Sequence, residues 1–142
     1  MSDASPNNLG RIVWHDLTVP DAPRLREFYE KVMGWSNMPI AMKDEQGEYA
    51  DFVMLAPEGS QPPIVPPEHA RGVCGVCHAR GSNANIPPQW LIYVQVASVT
   101  ASIAAAESLG GKLATPKRAM GQSVFCVLQD PAGAHIAIIG PN

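Results

Sequence analysis

Basic clusters, membrane-length apolar runs and a leader-like N-terminus are all missing from this 142-residue chain. Lys117 and Arg118 form the only adjacent basic pair and the formal net charge is -3, which leaves no electrostatic footprint for nucleic acid. No stretch approaches the ~20 apolar residues that span a bilayer. The opening MSDASPNNLG has neither a basic start nor an apolar run, so the expectation is a cytosolic protein without a membrane partner. Cysteine is scarce: three residues, an odd count, fit reduced thiols better than a disulfide framework. What the chain does contain is 46% hydrophobic residues, enough for one ordinary domain with a real core.

It also contains itself twice. Residues 14–34 read WHDLTVPDAPRLREFYEKVMG and residues 91–111 read LIYVQVASVTASIAAAESLGG, and a shift of 77 superposes strand, helix and closing glycine. Asp21 falls on Ser98, Ala22 on Val99, Phe28 on Ala105, Val32 on Leu109 and Gly34 on Gly111. An internal repeat fixes architecture before any side-chain chemistry is considered. In the first copy, alternation over Ile12 to Pro20 predicts a strand, and Asp21 caps a helix carrying the apolar stripe Ala22, Leu25, Phe28, Tyr29 and Val32. Further strands are expected near Pro39 to Lys43, Glu48 to Leu55 and Val73 to Arg80. A loop from Pro57 to Gly72 with five prolines reads as a flap or rim. The second copy predicts a strand over Trp90 to Ala97, a helix from Thr100 to Leu109, and strands near Lys112 to Lys117, Ser123 to Gln129 and His135 to Ile139. The expected organisation is one domain over 1–142, with module one at about 11–80, a linker at 81–89 and module two at about 90–140.

Strand parity separates the faces. Val13, Leu17 and Val19 share one side of the first strand with His15, and Trp90, Ile92, Val94 and Val96 share the corresponding side of the fifth. These apolar sides belong under the helices, and His15 reads as a hydrogen-bonded histidine beneath one of them. The opposite sides carry Trp14, Asp16 and Thr18, and Leu91, Tyr93, Gln95 and Ala97. Large apolar and polar groups mix there, as they do in a ligand pocket.

The segment PDAPRLREFYEKVMGW, with WLIYV, the helix ending SLGG and VLQDPAGAHIAII, resembles the vicinal oxygen chelate superfamily of glyoxalase I, bleomycin resistance proteins and extradiol dioxygenases. The likeness spans about residues 11–140 and is nearest to poorly characterised bacterial glyoxalase-like members. It implies an α+β fold in which two βαβββ modules form a cup-shaped mixed sheet with helices on the outer face. It allows a homodimer. In metal-dependent members of that superfamily, ligands stand in the first strand and the last strand of each module. The matching first-strand positions here are Trp14 and Leu91, and the last-strand position of module two is Ala137. None offers an oxygen, nitrogen or thiolate donor, so neither a metal nor any other cofactor is expected. The equivalent in the Val73 to Arg80 strand cannot be aligned from sequence.

That strand holds GVCGVCHARG, in which CGVCH matches the c-type haem attachment pattern. On a strand, however, Cys74 and Cys77 project from opposite faces and cannot act jointly, and the preferred reading is a plain strand with small thiols. Cys126 reads as core. His78, near the strand end beside Arg80, reaches the cup or its rim. Asp16 on the enclosed face needs hydration, a hydrogen bond or a partner, for which His78 or Arg80 are candidates, either as a structural ion pair or in a ligand site. Tyr93, Gln95 and His135 complete the candidates.

Two functions follow. The first is a small-molecule binding protein of the glyoxalase or bleomycin resistance type with a metal-free cup, its ligand contacts being Trp14, Thr18, Tyr93, Gln95 and His135. The second is an isomerase or lyase acting next to a carbonyl, with Asp16 as base and His78 as acid. The expected partner in both is a small organic molecule.

Overall fold

Both helices begin with the same device. In the computed structural model, which describes residues 6–60 and 72–142, the Asp21 side chain accepts from the Arg24 N–H at 3.3 Å and the Ser98 hydroxyl accepts from the Ala101 N–H at 3.2 Å. Each satisfies an orphan donor of the first turn. Helices α1 (Ala22–Met33) and α2 (Val99–Ser108) therefore start 77 residues apart, and their first residues, Ala22 and Val99, are both fully buried. Their ends differ. Gly34 closes α1 at φ 73°, but after α2 the left-handed residue is Gly110 at φ 93°, one position before Gly111, which aligns with Gly34.

Among the described residues, nine strands make a mixed sheet with these two helices, an α+β arrangement: β1 (Ile12–Val19), β2 (Ser36–Asp44), β3 (Gly47–Leu55), β4 (Gly72–His78), β5 (Trp90–Gln95), β6 (Lys112–Leu113), β7 (Arg118–Met120), β8 (Ser123–Gln129) and β9 (His135–Gly140). The expected strand over Lys112 to Lys117 shrinks to β6. The N–H groups of Ala114 and Thr115 both turn to the Val127 carbonyl, the Thr115 hydroxyl takes the Val127 N–H at 2.9 Å, and Pro116 has no N–H to continue a ladder. Residues 61–71 of the expected flap lie outside the described residues.

The chain forms two compact units, one spanning Asp16–Trp90 and the other joining the segment that ends at His15 to Leu91–Asn142. In the Asp16–Trp90 unit the strands run β2, β3, β4, β1, with β1 and β4 parallel and the other pairs antiparallel. Leu17, Val19, Phe52, Met54, Cys74 and Val76 share one sheet face and bury against Ala22, Leu25 and Tyr29 of α1. The predicted helical stripe splits here. Phe28 and Val32 are more than half exposed, because periodicity tells which residues share a face but not how much of it is covered. An aromatic chain links this helix to Trp90 at the end of the unit. Tyr29 stacks on Trp35 at 6.0 Å and meets Trp90 edge-on at 5.2 Å, and the Trp90 Nε1–H donates to its hydroxyl.

The other unit repeats the plan, with β5 and β9 parallel and β8 antiparallel to β9, β6 and β7. Val99, Cys126, Leu128 and Ile138 form its core, joined by Ile103 and Ala106 of α2. His15 departs from expectation. It is exposed rather than buried under a helix, since the core that α1 covers begins at Leu17.

Candidate functional site

In the Asp16–Trp90 unit the face turned away from α1 is set by register. Asp16 stands opposite Gly75 and Thr18 opposite Cys77 across the parallel β1–β4 pair, and Gly75 in turn stands opposite Val53 of β3. Across the β2–β3 hairpin, Met38, Ile40 and Met42 stand opposite Val53, Asp51 and Tyr49. One face therefore gathers half-buried Asp16 and Cys77 and buried Thr18 and Asp51 beside exposed Met38, Ile40 and Met42. A hollow of ≈ 590 Å³ on the same hairpin is lined chiefly by Pro39, Ala41, Lys43, Glu48 and Ala50 of the opposite parity.

His78 shares strand parity with Cys74 and Val76, which lie in the core under α1. At the strand end its ring nevertheless turns to the other side. Nδ1 lies 3.1 Å from Oδ1 of Asp51, the same oxygen accepts the His78 backbone N–H at 2.8 Å, and the ring meets Tyr49 edge-on at 5.4 Å. A carboxylate oxygen can only accept, so Nδ1 carries the hydrogen in this contact. In the neutral tautomer with its hydrogen on Nδ1, Nε2 is the basic nitrogen. The guanidinium carbon of Arg80 lies over the Tyr49 ring, 3.9 Å from its centre, and the side chain forks onto both oxygens of Asp44 at 2.8 and 2.7 Å. That fork, with the backbone N–H of Gln46, holds the Asp44 carboxyl below the ordinary carboxylate range. Burial, followed by the charges of Asp51 and Asp44, pushes the Tyr49 phenol up.

Of the two partners considered for Asp16, His78 contacts Asp51 and Arg80 contacts Asp44. His78 stands opposite Val19, three residues beyond the position of Asp16, roughly 10 Å further along the strand. Asp51 and Tyr49 were not singled out in the sequence, although an aspartate alternating within an apolar strand was the available signal.

In the other unit, Tyr93 stands opposite Ala137 and Gln95 opposite Ile139, on the face turned away from the Ile138 core. Parity is as expected, yet Tyr93 and Gln95 are almost wholly buried. Tyr93 lies 6.2 Å from the Phe125 ring, which also carries the Arg118 guanidinium at 4.4 Å. His135 is half-buried opposite Gln129 at the start of β9, and Trp14 is half-buried in β1.

Register also supplies the position that sequence alone could not align. The shift of 77 takes Asp16 to Tyr93, whose partner is Ala137, while the partner of Asp16 is Gly75. Gly75 is therefore the β4 counterpart of Ala137. All four positions at which metal-dependent relatives place ligands, Trp14, Gly75, Leu91 and Ala137, lack a donor for a divalent ion. Among the described residues no group of three or more His, Cys, Asp or Glu converges as a metal site. The residues present do not fit the metal of this superfamily.

The CGVCH segment lies in β4. Cys74 is buried in the α1 core with its thiol pushed up to about 12 by burial and the nearby Asp16 charge, while Cys77 is on the opposite face beside Gly75. Cys126 is buried and its thiol is pushed up to about 11, again by burial first. None of the three cysteines forms a disulfide.

Two β-α-β repeats, each with its first and last strands parallel neighbours, define a fold of the vicinal oxygen chelate class. A glyoxalase-like domain model matches residues 13–139, and the chain belongs to that family. No curated protein matches. Among solved structures, a Streptomyces coelicolor methylmalonyl-CoA epimerase variant in complex with 2-nitronate-propionyl-CoA matches at 14% identity and TM-score 0.56, over 94% of this chain and 98% of that one. A methylmalonyl-CoA epimerase in complex with methylmalonyl-CoA and NH4+ matches at 15% identity and TM-score 0.56, over 94% and 95%. The Mycobacterium tuberculosis methylmalonyl-CoA epimerase matches at 14% identity and TM-score 0.54, over 97% and 93%. At these identities the likeness establishes fold, not chemistry. Among the described residues no helix is long and apolar enough to cross a membrane.

Proposed function

We propose that this protein binds a small organic molecule without a metal, on the sheet face that carries Asp16 and Thr18. The observation that carries the reading is the composition of that face: a half-buried carboxylate, a buried hydroxyl and the His78–Asp51 pair stand beside an exposed apolar strip of Met38, Ile40 and Met42. Such a strip covers a ligand's apolar body while a few polar groups orient it. Trp14, two residues before Asp16 on the same parity of β1, is assigned a contact role. A thermal-shift screen of small carbonyl compounds, aromatic acids, amines and planar antibiotics tests the reading. A ligand at 100 times its dissociation constant stabilises by roughly 2.7 kcal/mol, a rise of several degrees in Tm for a domain of this size. Hits are expected to weaken in Trp14→Ala and Asp16→Asn. Equal affinity in both variants would remove the assignment.

A second reading, proton transfer next to a carbonyl, is favoured by one observation. The Nδ1–H of His78 is held by Asp51, which orients Nε2 as a general base. The glyoxalase-like family match is compatible with an isomerase of this kind, with a ligand-bound water as the second proton carrier.

A further inference from the structure

Strand parity aims His78 at the core under α1, yet its ring stands with Asp51 and Tyr49 on the other side of the sheet. Asp51 fixes only part of that orientation. A single Nδ1–H contact sets one direction in the ring and leaves its plane free to turn about that direction. The plane is set by Tyr49, which meets the ring edge-on at 78°. Tyr49 is held in turn, because the Arg80 guanidinium lies over its ring and is itself forked onto both oxygens of Asp44. We propose that Arg80, forked onto Asp44 and stacked on Tyr49, is a positioning residue that fixes the plane of the His78 ring and so the direction of Nε2. The inference rests on the reading of His78 as a general base and adds the group that aims it.

The clamp is short along the chain. His78 and Arg80 are two residues apart, joined by a tight turn in which the Arg80 N–H donates to the His78 carbonyl at 2.9 Å and the Ala79 N–H donates to the Val19 carbonyl. Their targets, Asp44, Tyr49 and Asp51, all lie on the β2–β3 hairpin. There Asp44 stands opposite Gly47, and its Oδ1 also takes the Gln46 N–H at 2.8 Å, which ties the fork to the hairpin turn. The segment after β4 is therefore fastened to the hairpin twice, by His78 through Asp51 and by Arg80 through Asp44. Arginine suits the second fastening because a planar guanidinium forks onto a carboxylate through its edge while its face stacks on a ring. A lysine ammonium has no such plane. The Arg80 and Asp44 side chains are 24% and 17% exposed, so the fork is more sheltered from water than an ordinary surface pair.

The test reads the ring itself. Long-range 1H–15N NMR of the full chain, with the ring neutral, distinguishes a hydrogen on Nδ1 from one on Nε2, and wild-type His78 is expected to hold it on Nδ1. In Arg80→Met and Asp44→Asn the shifts of the two ring nitrogens should move toward each other as the ring samples both tautomers. Phenylacetone in D2O supplies the functional readout. Exchange of its methylene hydrogens at saturation should fall about ten- to a hundredfold in Arg80→Met, the loss expected of a base displaced by about 1 Å, with its dissociation constant unchanged. Arg80→Lys should recover only part of that rate. If Arg80→Met does not fold, Asp44→Asn decides alone, since its amide keeps the shape of the fork and loses the charge. Wild-type ring shifts and exchange in the Arg80 and Asp44 variants, with exchange lost in His78→Ala, would overturn the clamp and leave the base standing. A wild-type ring with its hydrogen on Nε2, or exchange in His78→Ala equal to wild type, would overturn both.

Discussion

His78→Ala is expected to lower solvent-deuterium exchange at the carbon beside the carbonyl of a bound ligand by about 10²- to 10⁴-fold, the range contributed by a positioned general base. Binding of the same ligand should change little. The expectation rests on the ring's fixed orientation: Asp51 takes the Nδ1 hydrogen at 3.1 Å and Tyr49 meets the ring edge-on, so removing the imidazole deletes the Nε2 base without deleting the face that carries the ligand. Asp51→Asn should give a smaller loss than His78→Ala, because an amide oxygen still accepts the backbone N–H of His78 but no longer stabilises a protonated ring. Exchange followed by NMR in D2O checks both. Wild-type exchange in His78→Ala would leave the binding reading and end the catalytic one.

Met54→Ala should be the most damaging conservative change to the Asp16–Trp90 unit. Met54 is fully buried in the cluster of Leu17, Val19, Phe52, Cys74 and Val76. Truncation removes apolar contact area and leaves a cavity that a strand interior cannot collapse to fill, at a cost of about 2–5 kcal/mol. For a chain of this size that is a Tm lower by about 5–15 °C. Met38→Ala is the control, since that side chain is about half exposed on the other face and its loss should stay within about 0.5 kcal/mol. Calorimetry of the two variants compares them, and a Met38→Ala cost equal to that of Met54→Ala would contradict the assignment of core and site faces.

The repeat was the most legible part of this chain. Because the shift of 77 carries Asp21 onto Ser98 and Ala22 onto Val99, sequence alone locates both helix starts to within a residue and the Asp21 cap. Local physics sets those features. Of the candidate site, Asp16 and Thr18 of β1 and His78 of β4 were legible. The Asp51–His78 contact joins residues 27 apart, across a β3–β4 register set by pairing and not by spacing, and nothing near either residue announces it. The same holds for Gly75, whose role depends on which residue of β1 it faces. His15 and the Phe28–Val32 side of α1 were misjudged for a related reason: parity and periodicity identify a face, and only the neighbours decide whether it is covered.

The account's central claim is that this glyoxalase-like chain works without a metal, and metal content measured together with ligand binding tests it most directly. Protein purified without chelator or a metal-affinity step should carry no stoichiometric zinc, iron, nickel or manganese by elemental analysis, and EDTA should leave the affinity of a ligand from the screen unchanged. A stoichiometric transition metal that is lost in Asp16→Asn or His78→Ala, with ligand binding abolished by EDTA and restored by the metal, would contradict the account.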